Sequence, residues 1–263
     1  MVTCGLVLAG RSCLLQGHLG LRLARNLLPF VTPPPSEPDF TLNISHHPLR
    51  GLPRADMHVE EVAAGLRFAR PRGILDAAAD FRNFEVVLPR EQRRPFDGRP
   101  WLMLALWGHL AHHEGAFLHG ALCLLKGKLV LLLGQQQRGK STLARLIGRH
   151  GGRIVTDEYP FTARGPEGLS VYGSPWPGFA HATAGGPPAV ICFLKHGRRN
   201  EFAALNTNET IRRLIQTTRF FSWSPRSMPL TMEVLGDLAA CAPVYEYAFV
   251  PDATAVTALD TLL

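Results

Sequence analysis

Residues 134–141 read Gly-Gln-Gln-Gln-Arg-Gly-Lys-Ser and satisfy the pattern G-x-x-x-x-G-K-[ST] at each fixed position. A loop of this kind turns successive backbone N–H groups, and the positive end of the following helix, toward an anion. Gly134, Gln135, Gln136, Gln137, Arg138, Gly139, Lys140, Ser141 and Thr142 are therefore the candidate nucleotide cradle. Lys140 is expected to reach the β- and γ-phosphates, and the Ser141 hydroxyl to hold Mg²⁺. The expected ligand is a nucleoside triphosphate with Mg²⁺. The third variable position of such loops is usually small, because the backbone there is left-handed; a residue such as Gln137 in that conformation costs on the order of 1 to 3 kcal/mol.

The flanking residues suit the loop. Leu129 to Leu133 is a short apolar run that reads as a buried strand, and Thr142 to Ile147 has helical spacing. Upstream, Phe117 to Leu125 and Lys128 to Leu133 read as two strands joined at Lys126-Gly127, a hairpin that feeds the loop. Gly151-Gly152 stops the helix, and Arg153 to Thr156 starts another short strand that ends at Asp157 and Glu158. Asp157 follows Lys140 by 17 residues, and His119 precedes it by 21. If these strands are neighbours in one sheet, His119, Lys140 and Asp157 converge on one phosphate. The adjacent carboxylates of Asp157 and Glu158 could also be a solvated strand end, and His119 a core histidine satisfied by a carbonyl.

The runs Leu118-His-Gly-Ala-Leu, Leu131 to Ala144 and Gly152-Arg-Ile-Val-Thr-Asp-Glu resemble the kinase domain of HPr kinase/phosphorylase. They are still more similar to smaller stand-alone HPr-kinase-like proteins, some of them encoded beside peptide-maturation systems. The resemblance spans roughly residues 100–263 and includes Val190 to Leu194 and Val244 to Val250. It implies a P-loop fold related to phosphoenolpyruvate carboxykinase, and ATP-dependent transfer to a serine or threonine hydroxyl. By position it makes Asp157 the base, has His119 orient or tune it, and gives Mg²⁺ to Ser141, Asp157 and Glu158. Glu158 stands where the family usually has a second aspartate. The family's downstream glutamate and glycine signature and its basic catalytic loop find no match. In their place stand Gly173-Ser-Pro-Trp-Pro-Gly178 and Ala184-Gly-Gly-Pro-Pro188, whose Trp176 caps the sheet or docks a peptide. HPr is thus not the expected acceptor. A precursor peptide or maturation enzymes are the expected partners.

Two functions from different classes remain open: an ATP-dependent kinase for a peptide or small hydroxyl acceptor, and an inactive nucleotide-binding module that presents a peptide to maturation enzymes. A transporter ATPase is disfavoured, since its Gly-rich signature and distant Asp-Glu pair are lacking.

The 263 residues are 46% hydrophobic and 19% charged, a globular composition. The fold class expected is α/β (α+β), because strands and helices mix without regular alternation. A smaller N-terminal α+β region over 1–98 precedes the loop domain over 99–263. In that region residues 6–15 read as one strand, 19–28 as a helix, Pro33 to Pro35 as a stiff connector, and strands fall near 40–44, 65–68 and 84–88. Trp101 to His113 reads as a helix ending at Gly115; His109, His112 and His113 share one face, which could hold zinc but better suits a helix end.

Later helices are expected near 209–217, 230–240 and from 253. The net charge of +7 comes largely from Arg without basic blocks interleaved with aromatics, so nucleic acid is not an expected partner. A solvated Arg surface, an acidic peptide partner or the nucleotide itself accounts for it. Cys4, Cys13, Cys123, Cys192 and Cys241 lack ligand spacing and read as reduced packing residues. With no convincing signal peptide or apolar span, a cytoplasmic protein without membrane contact is expected.

Overall fold

A computed structural model describes residues 2–17, 22–90, 95–176 and 183–263. The chain divides into two compact units, Met1–His112 and His113–Leu263.

In the first unit β1 (Val2–Leu8), β2 (Arg11–Gly17), β3 (Val31–Thr32), β4 (Phe40–His47), β5 (His58–Val62), β6 (Gly65–Arg70), β7 (Gly73–Ala78) and β8 (Asn83–Pro89) form one sheet in the order β3-β1-β2-β4-β8-β7-β6-β5. Its strands are antiparallel except β2 with β4 and β4 with β8, which run parallel. The run expected as one strand over 6–15 is a hairpin, turned at Ala9 and Gly10 with φ of 53° and 70°. Two consecutive positive φ values match the twist of a two-residue hairpin. Of the helix expected over 19–28, residues 19–21 lie outside the described residues. The remainder is a bridge at Leu23, a turn and a 3₁₀ turn at Leu28–Phe30. Apolar spacing there anchors Leu27 and Phe30 in the core without a continuous helix.

Helix α1 (Trp101–His112) closes this unit. The left-handed residue after it is Glu114 (φ 59°), not Gly115, which already belongs to the next strand. His109 and His112 are buried by stacking. His109 lies on Phe40 and pairs through Nδ1 with the Phe81 carbonyl, 2.9 Å; His112 lies on Phe81 and pairs through Nδ1 with the Gly108 carbonyl, 2.8 Å. Among the described residues no group of three His, Cys, Asp or Glu side chains could hold a metal.

The second unit contains β9 (Gly115–Leu118), β10 (Gly120–Leu125), β11 (Lys128–Leu133), α2 (Lys140–Arg149), β12 (Arg153–Thr156), β13 (Phe161–Gly165), β14 (Gly168–Tyr172), β15 (Gly185–Gly186), β16 (Val190–His196), β17 (Glu201–Ala204), α3 (Thr207–Thr217), β18 (Thr218–Arg219), α4 (Ser227–Ala240), β19 (Val244–Phe249) and α5 (Ala253–Asp260). A six-stranded sheet has the order β12-β10-β11-β16-β19-β17, and a five-stranded antiparallel sheet the order β15-β14-β13-β9-β18.

Strand β11 is apolar from Leu129 to Leu133 because both of its faces are covered there. Leu129, Leu131 and Leu133 pack with Leu214 of α3, with Val234, Leu235 and Leu238 of α4, and with the five-stranded sheet. Val130 and Leu132 face Leu143, Ala144 and Ile147 of α2 and Ala255, Val256 and Leu259 of α5. The unit is therefore mixed α/β, as expected from irregular alternation. No helix among the described residues is long and apolar enough to cross a membrane. Cys13, Cys123 and Cys192 are buried as expected, Cys4 is half-buried, and Cys241 is exposed, so it is not a packing residue.

Candidate functional site

The geometry of the site follows from strand register. Strand β10 is hydrogen-bonded on one side to β11, with Gly120 opposite Leu133, and on the other to β12, with Leu122 opposite Thr156. Because both pairings are antiparallel, the start of β10 lies beside the ends of β11 and β12. Those three termini lead to His119, to the loop at Gly134, and to Asp157. The neighbourhood that the spacing required is therefore present.

A second feature tightens the arrangement. The chain passes between the two sheets twice at this edge, once from β9 to β10 through His119 and once from β12 to β13 through residues 157–160. The passages are tied side by side: Leu118 N–H donates to the Pro160 carbonyl at 3.0 Å, and Gly120 N–H to the Glu158 carbonyl at 3.1 Å. His119 N–H donates to the Thr217 carbonyl at the end of α3, 2.7 Å. His119 is thus not in a strand but at the break between two, with Phe117 before it stacked on Phe161.

The loop enters α2 through Gly139, which is left-handed (φ 90°), and no side chain caps the helix. The first-turn N–H groups of a helix have no intrahelical acceptors, so this end is an open anion site. Gly139 is required for space as well as conformation, since an added Cβ would lie 2.6 Å from Cζ of Phe249. Gln137 has φ 64°, the left-handed backbone anticipated at the third variable position. Its carbonyl accepts from Nε2 of His196, 2.9 Å, which braces the loop from outside.

Lys140 is buried at 7% exposure and donates to the carbonyls of Gly134 (2.7 Å) and Gln135 (3.0 Å). Burial lowers the pKa of its ammonium, against the opposing pull of Glu158. His119 is lowered by burial first and then by the charges of Lys140 and Arg219, with Glu158 working in the other direction. The Nδ1 atom of His119 is buried without a hydrogen-bond partner among the described residues.

His119, Gln136, Gln137, Gly139, Lys140, Ser141, Thr142, Asp157, Glu158 and His196 line one cleft of about 360 Å³. Asp157 is buried at 7% exposure. Gly134, Gln135 and Arg138 line a neighbouring cavity instead, so the nine loop residues divide between two hollows. His196 was not legible in the sequence. It ends β16, and only the parallel pairing of β16 with β11 puts that end beside the loop. Trp176 is buried and meets Phe161 edge to face, which is the capping arrangement; residues 177 and 178 of its motif lie outside the described residues.

No family model matches the chain, and no curated protein matches it. Among solved structures it is similar to the Hpr(Ser) kinase/phosphatase from Coxiella burnetii, at 12% identity and a TM-score of 0.32, over 56% of this chain and 87% of that one. That is a distant and partial likeness.

Proposed function

We propose that the cleft binds ATP with Mg²⁺ and that the chain, of the P-loop type shared by HPr kinase and phosphoenolpyruvate carboxykinase, transfers the γ-phosphoryl group to a hydroxyl. The observation that carries this reading is the meeting in one cleft of an uncapped helix start with its loop lysine, and of His119, Asp157 and Glu158 on the paired sheet passages. Phosphoryl transfer requires positioning and charge neutralisation more than covalent chemistry, and this set supplies both. A cleft of about 360 Å³ falls at the lower end of ligand-pocket sizes.

Two carboxylates and a hydroxyl are hard oxygen donors that suit Mg²⁺, which takes few protein ligands and completes its shell with water and phosphate oxygens. Ser141, Asp157 and Glu158 would hold it, and when bound it neutralises charge on the β- and γ-phosphates. Lys140 exchanges the Gly134 and Gln135 carbonyls for phosphate oxygens. Asp157 accepts the acceptor's hydroxyl proton as the new O–P bond forms, while the bond from the γ-phosphorus to the β-bridging oxygen breaks and ADP leaves. His119, held neutral by burial and nearby cations, accepts a hydrogen bond and orients the acceptor.

The Asp157→Asn variant tests this assignment. It should still be stabilised thermally by Mg-ATP, less than the wild type because one of three metal ligands is lost, and should lose phosphoryl transfer by about 10² to 10⁴-fold. Undiminished transfer would reassign the base. Binding by both proteins with no transfer by either, across hydroxyl acceptors, would favour a nucleotide-dependent binding module.

A further inference from the structure

The second cavity, about 240 Å³, is joined to the cleft by hydrogen bonds between their lining residues. Gly134 and Gln135, which line it, hold the Lys140 ammonium through their carbonyls, and the carbonyl of Thr217, another lining residue, accepts the N–H of His119. Whatever occupies it therefore lies next to the group that faces the acceptor.

Its charge is one-sided. Arg138, Lys195, Arg212 and Arg213 line it, against one lining carboxylate, Glu246. Glu246 pairs with Lys195 and Arg213, and Glu209 bridges Arg212 and Arg213. Four cations thus face two carboxylates, and Arg138 has no ion-pair partner among the described residues. At about 240 Å³ the cavity is smaller than the pockets of roughly 300 Å³ and above that enclose drug-sized ligands. A carboxylate fits both the space and the planar forks of the arginines, which bind it through two parallel bonds. Glu246 inside the cavity disfavours a phosphate dianion more than a singly charged group.

We propose that this cavity takes a carboxylate of the hydroxyl acceptor, so that the substrate class is an acidic peptide. The proposal rests on the transfer reading above and deepens it. The carboxylate can come from an Asp or Glu side chain beside the reactive residue or from a chain terminus, and the test separates the two.

The probes are synthetic octapeptides with one Ser, made with Asp and Glu neighbours or with Asn and Gln in their place, each as free acid and as C-terminal amide. Binding to the full chain in the presence of Mg²⁺ and a non-hydrolysable ATP analogue is read by fluorescence anisotropy. Transfer from ATP is read as kcat/KM. Carboxylate-bearing peptides should bind about tenfold more tightly than their amide counterparts. Arg212→Gln and Lys195→Gln should erase that preference while leaving the thermal stabilisation by Mg-ATP unchanged. A gap between side-chain acid and amide, or between free terminus and C-terminal amide, identifies the source.

Equal binding of acidic and neutral peptides overturns the proposal, as does a preference that survives in both variants. Inorganic phosphate that stabilises the wild type but neither variant, with no peptide preference, also overturns it, in favour of a small-anion site. An intact preference without transfer would sink the transfer reading and leave the cavity's specificity standing.

Discussion

His119 occupies the single residue between two strands that belong to different sheets, and its environment disfavours the imidazolium. The consequence for stability has a definite sign. In the unfolded chain the ring titrates near its ordinary value of 6.5, while in the folded chain burial, Lys140 and Arg219 hold it lower. Between those two values the unfolded state takes up a proton that the native state refuses, so this contribution is present above 6.5 and is lost as pH falls toward the folded value. His119→Gln should therefore lose less thermal stability than the wild type between about pH 7.5 and 5.5. Equal losses, measured by melting temperature at several pH values, would show that His119 is not held neutral. Gln137 illustrates the other kind of residue-scale cost: its strained backbone is retained because the His196 ring and the rest of the loop fix its carbonyl.

At the scale of elements, the loop is set by where β11 ends and how α2 begins. Packing of α2 on β10 and β11 through Leu143, Ala144 and Ile147 fixes the helix, and Phe249 at the end of β19 presses on its first residue boundary. Gly139→Ala would place a methyl group 2.6 Å from the Phe249 ring in a backbone conformation that disfavours it. The expected cost is about 1 to 3 kcal/mol in stability, by chemical denaturation, together with weakened Mg-ATP binding. Loss of nucleotide binding at unchanged stability would mean that the loop yields instead of the core. The register of β10 matters in the same way, since a slip of one residue would exchange Leu122 and Leu124 with Ala121, Cys123 and Leu125 between the faces of the sheet.

The whole molecule has two units, and the proposed chemistry is confined to His113–Leu263. Mg-ATP should accordingly stabilise the wild type by about 2.7 kcal/mol at a hundredfold excess over Kd, and not Lys140→Ala. Hydrogen exchange should locate the added protection in α2, β12 and the passage through residues 157–160, and not in β1 to β8. Protection spread equally over both units would place the nucleotide elsewhere.

Much of the site could be read from the chain itself. The loop, the strand before it, the helix after it and the short spacing to Asp157 are set by local patterns: a run of apolar residues, fixed glycines, a lysine and a hydroxyl in order. The left-handed turn at Gln137 was legible for the same reason, because backbone sterics act between near neighbours. Tertiary structure alone decided that His119 sits at a passage between sheets, that His196 faces the cleft, that the loop residues divide between two hollows, and that α1 belongs with the first unit. It also turned the opening run into a hairpin and left residues 22–28 without an α-helix. Each of these depends on which distant strands pair. Pairing is chosen by the burial of whole faces, a quantity that no short window of sequence contains.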